Sequence, residues 1–299
     1  MGACYGERTL SESNDERAAN GSLSLKPILP RQKSANGAIV SKPGKKIELA
    51  DIDPDADHGS KRKAEKRVEK LAARLAELQQ TFYAEHSRSL LIVIQAMDTG
   101  GKDGAVKKLC SGLDPNGLYL SNFKYPSAEE WDHDYLWRVH HRAPGKGVIG
   151  IWNRSHYEDV LVPRVHKQIS DAVWRERCED INAFERLLSR NGVTMLKFFL
   201  HISKDEQKER LEARLQDPQK IWKFNPGDLK ERLLWDDYQS AYQAVINACT
   251  TDYAPWYIVP ANRKWFRNLV MFETVVATLE KMNPQFPAAK FDPKSVVID

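Results

Sequence analysis

The stretch Leu90-Leu-Ile-Val-Ile-Gln-Ala-Met-Asp-Thr-Gly-Gly-Lys-Asp103 decides the fold. It opens as a continuous apolar run of strand length, and Ala105-Val-Lys-Lys-Leu109 behind it suits a helix. Between them lies a loop close to the phosphate-binding pattern G-x-x-x-x-G-K-[ST], which sets backbone N–H groups and a helix N-terminus around phosphate oxygens. Two positions depart from that pattern. Ala96 stands where the first glycine belongs, and Asp103 replaces the hydroxyl residue that holds Mg²⁺. A further carboxylate, Asp98, sits inside the loop and is the natural substitute as metal ligand. Thr99, Gly100, Gly101, Lys102, Asp103 and Gly104 are therefore the candidate phosphate cradle, with Lys102 as a point charge. Lys107 and Lys108 extend the positive track one turn along the helix. A Gly-Gly-Lys turn can be a plain strand-to-helix connection, but strand, loop and helix in this order favour the phosphate reading.

The 299 residues are 41% hydrophobic and carry a net charge of +4, which suits one α/β domain with additions. The mild charge permits an anionic substrate without demanding nucleic acid. No apolar run reaches the length of a membrane span, and no basic-then-apolar leader opens the chain. Cys4, Cys110, Cys178 and Cys249 are scattered without C-x-x-C spacing. The expectation is a cytoplasmic protein, off the membrane, with neither a disulfide framework nor a zinc site.

Residues 1–45 are poor in apolar side chains and read as a disordered tail. Residues 46–285 read as the domain, and 286–299 as a C-terminal extension. The acidic segment Ile47 to Asp57 is expected along the domain surface. Val68, Leu71, Leu75, Leu78 and Phe82 define an amphipathic helix whose narrow seam serves packing onto the domain or an oligomer interface. Strands are expected at Leu90–Ile94, Leu118–Phe123, Val148–Trp152, Thr194–Ile202 and Trp256–Val259. Helices are expected at Lys102–Leu113, Ala128–His141, Asp171–Arg190, Lys204–Gln216, Leu229–Cys249 and Lys264–Met282. This alternation predicts a five-stranded parallel sheet covered on both faces, with ligands beyond the carboxyl ends of its strands.

The third strand runs into Trp152-Asn-Arg-Ser-His-Tyr-Glu-Asp159. Arg154, just past a buried strand, needs an anionic partner, and the phosphates supply one. Glu158 and Asp159 open the next helix, where carboxylates either complement the helix dipole or help hold Mg²⁺. From Lys204 to Lys223 most charges pair at helical spacing, so a solvated face is the default. Arg210 and Arg214 nevertheless share one face, and Pro218 ends the helix before a basic-aromatic segment. That pattern suits a lid, at about 204–228, that brings guanidinium groups over a phosphate chain. His133, His140 and His141 flank Trp131, Tyr135 and Trp137 and read as helix-surface or packing residues rather than a metal site.

Taken together, Gln95-Ala-Met-Asp-Thr-Gly-Gly-Lys-Asp-Gly104, Asn153-Arg-Ser-His-Tyr-Glu-Asp-Val-Leu161, Lys197-Phe-Phe-Leu-His-Ile-Ser203, Arg210-Leu-Glu-Ala-Arg214, Trp222-Lys-Phe-Asn-Pro-Gly-Asp228 and the segment Ala254 to Trp265 closely resemble the polyphosphate kinase 2 family. The resemblance implies a thymidylate-kinase-like P-loop fold, a three-layer αβα sandwich with a helical lid. It implies Mg²⁺-dependent phosphoryl transfer, with Mn²⁺ as a substitute, between inorganic polyphosphate and adenine nucleotides, guanine nucleotides being the second candidate class. By position, Asp98, Lys102, Arg154, Arg210 and Arg214 are the expected catalytic set. Asn153, Arg154, Glu158 and Asp159 are expected on the acceptor side, and Asp98, Glu158 and Asp159 at the metal. His-Tyr-Glu-Asp159 is most similar to the branch that accepts AMP as well as ADP, because the diphosphate-preferring branch has Asn in place of Glu158. A homo-oligomer without nucleic acid is expected. Two alternatives stand beside this reading: an ATP-dependent nucleoside monophosphate kinase, which would want Ser or Thr after Lys102, and a non-catalytic polyphosphate- or nucleic-acid-binding module.

Overall fold

Every position of the strand Ser89–Ala96 is buried, which is what a continuous apolar run achieves only in the middle of a sheet. The computed structural model describes residues 37–298 and places this strand, β2, at the centre of a six-stranded sheet. The strands are β1 (Ile39–Val40), β2, β3 (Leu118–Asn122), β4 (Ile149–Asn153), β5 (Val193–His201) and β6 (Trp256–Pro260), in the order β1-β6-β5-β2-β4-β3. The last five pair in parallel, as the alternation predicts, and β1 joins β6 antiparallel. The chain leaves β2 towards β3 and leaves β5 towards β6, so the switch point lies between these neighbours.

The helices are α1 (Lys61–Glu85), α2 (Lys102–Cys110), α3 (Ala128–Asp132), α4 (Trp137–His140), α5 (Glu158–Val165), α6 (Asp171–Arg190), α7 (Lys204–Gln216), α8 (Gly227–Leu233), α9 (Trp235–Ala248) and α10 (Lys264–Met282). α10 packs on α1, α2 and β6, whereas α5, α6 and α9 pack together on the other side with α6 against β5. The seam Val68, Leu71, Leu75, Leu78 and Phe82 is buried, so the packing reading of α1 holds.

Strand ends shift by a residue or two, and three helical stretches differ more from expectation. α2 stops at Cys110 because Gly112 turns left-handed, with φ +90°. The stretch 128–141 breaks into two helices because the Asp134 carboxylate captures the N–H groups of Leu136 and Trp137. The stretch 229–249 breaks at Leu234.

The reading of 1–45 as a disordered tail needs correction at its end; residues 1–36 lie outside the described residues. Ile39 and Val40 pair with Ile258 and Tyr257. Ser41 Oγ accepts from Trp256 N–H (2.7 Å) and from Thr250 Oγ1 (2.8 Å), and Ser41 N–H donates to the Trp256 carbonyl (2.9 Å). Backbone pairing at a sheet edge needs few apolar side chains, so a composition argument cannot detect it. The acidic segment likewise sends Leu49 and Ile52 into the core, while Gln243 and Asn247 of α9 accept from the Leu49 and Ile47 N–H groups.

Candidate active site

In register, Ile94 of β2 faces Asn153 of β4, so the loops that follow the two strands emerge side by side. Gly101 sits at φ +95°, and a Cβ there would lie 2.3 Å from Arg267 Nη1; Gly100 has no room either, because its Cβ would lie 2.5 Å from that of Ala96. Thr99 (φ 60°) and Arg154 (φ 65°) also hold left-handed backbone, which side chains with a Cβ rarely adopt.

Within this frame Lys102 folds back on its own loop. Its Nζ donates to the carbonyls of Ala96 (2.7 Å) and Met97 (3.2 Å). Burial, then the neighbouring Arg154, push its ammonium below the usual lysine range. Arg154 bridges two carboxylates, Glu158 Oε2 (3.0 Å) and Asp98 Oδ1 (3.2 Å), and Glu158 foremost holds its guanidinium firmly charged. The Gln95 amide, oriented so that both ends are satisfied, donates to Glu158 Oε1 (2.9 Å) and accepts from Ser155. Asp103 Oδ1 accepts from Asn153 Nδ2 (2.9 Å), while Oδ2 lies 3.6 Å from Lys223 Nζ in the segment that follows α7. The position that usually carries Ser or Thr thus ties the phosphate loop to β4 and to the segment behind α7.

The expected residues separate into groups. Asp98, Lys102, Arg154 and Glu158 line one small cavity together with Tyr238 and Tyr242 of α9. The cradle 99–104, Asn153, Arg210 and Arg214 line a larger, open groove next to it, which Asp98, Lys102 and Arg154 also border. Nine cationic side chains and three carboxylates surround that groove. Asp159 lies apart: its carboxylate pairs with Arg138 (3.0 Å) and lines neither cavity, so the structure does not bring it to the expected metal site. Lys107 and Lys108 are exposed and also lie off the groove.

Arg210 is not a free lid cation. Its guanidinium donates to Glu206 (2.6 Å) and to the carbonyls of Thr99 (3.0 Å), Ala261 (2.6 Å) and Asn262 (3.0 Å), and it is buried. It pins α7 to the phosphate loop. Arg214 lies one turn further, half-buried, 3.6 Å from Asp228. Gln207 Nε2 adds a bond to the Asp98 carbonyl (3.0 Å).

Sequence reasoning missed Arg267 on α10, whose Nη1 donates to the Gly101 carbonyl (3.0 Å) and whose charge borders the groove. Burial, then Arg210, push its guanidinium down to about 10. No local motif marks it, since it follows the loop by 166 residues. His133, His140 and His141 pack on Trp137 and Phe184, as expected. Among the described residues no three His, Cys, Asp or Glu side chains gather as a metal cluster, and no helix is long and apolar enough to cross a membrane.

The family model for polyphosphate kinase 2 (PPK2) matches residues 58–287, which contain the phosphate loop, the Arg154 segment and α7. The chain belongs to the polyphosphate kinase 2 family. An AMP/ADP-polyphosphate phosphotransferase of Meiothermus ruber is 47% identical to it over 260 residues, 86% of this chain and 97% of that protein. An ADP-polyphosphate phosphotransferase of Rhodopseudomonas palustris is 39% identical, over 82% of this chain and 89% of that one. The crystal structure of polyphosphate kinase 2 from Arthrobacter aurescens TC1 superposes with a TM-score of 0.83 at 40% identity, covering 87% of this chain and 96% of that one. This polyphosphate kinase 2 fold is the P-loop kinase-like α/β architecture read from the sequence.

Proposed function

We propose that the protein transfers a phosphoryl group between inorganic polyphosphate and AMP or ADP, reversibly and in line, without a covalent intermediate. The observation that carries this reading is the pairing of a phosphate loop with an open groove ringed by nine cations, a shape that suits a polymeric anion. The names of the relatives support the acceptors. Asp103 in place of Ser or Thr sets the loop apart from an ATP-dependent monophosphate kinase. Guanine nucleotides as further acceptors, a homo-oligomer and the cytoplasm belong to the same proposal.

Lys102 and Arg154 face both cavities, where they would balance charge building on the transferred group. Arg214 and Lys223 would hold the chain of phosphates from the lid side. The residues fit a hard divalent cation: Asp98 and Glu158 offer carboxylate oxygens, and Thr99 Oγ1 is buried with no partner. One or two carboxylates suit Mg²⁺ or Mn²⁺, which take further oxygens from phosphates and water. Mg²⁺ bound there would screen the repulsion between two anionic substrates.

The test is incubation of purified protein with long-chain polyphosphate, Mg²⁺ and AMP or ADP, scored for ADP and ATP. Formation of both products is expected. Binding of polyphosphate without product would leave the non-catalytic reading, and transfer from ATP but not from polyphosphate would leave the monophosphate kinase.

A further inference from the structure

Beneath the active site lies a group of ionisable side chains that line neither cavity and that the chemistry above does not use. Lys197 on β5, Glu185 on α6, and His156 and Tyr157 ahead of α5 are all fully buried. Lys197 Nζ donates to Glu185 Oε2 (2.7 Å), the Cys249 carbonyl (2.7 Å) and Tyr157 Oη (2.9 Å), which engages all three of its protons. Tyr157 Oη in turn donates to Glu185 Oε1 (2.7 Å), and His156 Nε2 lies 3.2 Å from the same oxygen. Burial opposes ionisation of Glu185, yet Lys197 holds its carboxyl below the usual range.

A buried ion pair is a weak device for stability, because desolvation cancels most of the attraction and apolar groups of similar size serve as well. It is a good device for geometry, because every member must keep its partner. What it holds is specific. His156 and Tyr157 are the two residues between Ser155 and Glu158, and the Tyr157 N–H also bonds Ser155 Oγ (3.2 Å). The Arg154 N–H bonds the Ile94 carbonyl (3.1 Å). This segment therefore leaves β4 through a left-handed residue and enters α5 with its backbone fixed at both ends.

We propose that Lys197 and Glu185 are positioning residues: through Tyr157 and His156 they fix the backbone that aims Arg154 and Glu158 at the phosphate loop. The inference rests on the phosphotransfer proposed above.

Two variants test it. Tyr157→Phe keeps the ring and removes the hydroxyl that links the pair to the loop. The triple variant Tyr157→Phe/Glu185→Leu/Lys197→Met replaces the charged group by apolar side chains and leaves no lone buried charge. For Tyr157→Phe, kcat should fall about tenfold with both AMP and ADP, since a small misplacement of a reacting group is costly. KM for both substrates should stay within about twofold, and the Mg²⁺ concentration giving half-maximal rate should rise at least about threefold, because Glu158 is no longer aimed. A merely structural hydroxyl would shift the melting temperature and leave the Mg²⁺ requirement alone. The triple variant should melt near the parent and show the same kinetic loss. A Tyr157→Phe protein with parental kcat and parental Mg²⁺ requirement overturns the proposal, whether or not the triple variant folds. So does a triple variant that folds and retains parental kcat. An inactive parent sinks the phosphotransfer reading instead, which keeps the two failures apart.

Discussion

A lysine with two of its three protons on carbonyls still has one for a phosphate, and Lys102 is held in that state. Arg154 spends one proton of each terminal nitrogen on a carboxylate, Glu158 and Asp98, and of its five N–H donors the other three stay available to substrate. We expect Lys102→Ala and Arg154→Ala each to lower turnover by at least ~10²-fold, because in the proposed mechanism each removes charge that would face the transferred group. Rates within a fewfold of the parent, at an unchanged melting curve, would count against both roles. Asp98→Asn keeps the shape and removes the charge a hard cation wants, so activity should fall steeply and excess Mg²⁺ should restore part of it. A variant whose activity survives at ordinary Mg²⁺ would reduce Asp98 to a loop-shaping residue. Glu158→Asn should lose AMP phosphorylation preferentially, because a monophosphate reaches less far towards the donor and depends more on that carboxylate for alignment. Equal losses of kcat/KM for AMP and ADP would reject this selectivity. At this scale the sequence spoke clearly for residues inside contiguous motifs, such as Asp98 and Arg154. It said nothing of Arg267, whose place beside Gly101 exists only once α10 has crossed the sheet.

On α7, two arginines that look equivalent in sequence make different contacts. Arg210 and Arg214 lie one helical turn apart on α7, and their spacing suggests a shared role above the phosphates. Arg210, however, is consumed by three carbonyls and a carboxylate, whereas Arg214 has a single, longer partner. Arg210→Ala should therefore lower the melting temperature and activity together, at a cost of about 3 kcal/mol or more, since it strands the carbonyls of Thr99 in the phosphate loop and of Ala261 and Asn262. Arg214→Ala should melt like the parent and lose activity alone. A thermally neutral Arg210→Ala would show that the carbonyls find other partners. Helical periodicity gave the extent of α7 but could not distinguish these arginines, because the carbonyls of Thr99, Ala261 and Asn262 come from two distant loops.

At the scale of the molecule, the parallel sheet was legible because its strands are continuous apolar runs. The edge strand β1 was not, since two residues held by backbone pairing carry no periodic signal. Its importance is testable. A chain beginning at residue 46 should melt several degrees lower and aggregate on heating, because removing the partners of Trp256 uncovers the edge of β6. Parental melting and solubility would show that the edge protects itself. Another whole-molecule consequence follows from the two left-handed residues at the active site, Thr99 and Arg154. Each stores roughly 1–3 kcal/mol that the rest of the fold must offset. A campaign breeding heat-tolerant versions of this enzyme will find glycine at Thr99 among its easiest gains, and such hits will come from the centre of the chemistry. Selection on survival alone will then enrich sturdy, sluggish catalysts, so each round must also be scored on turnover.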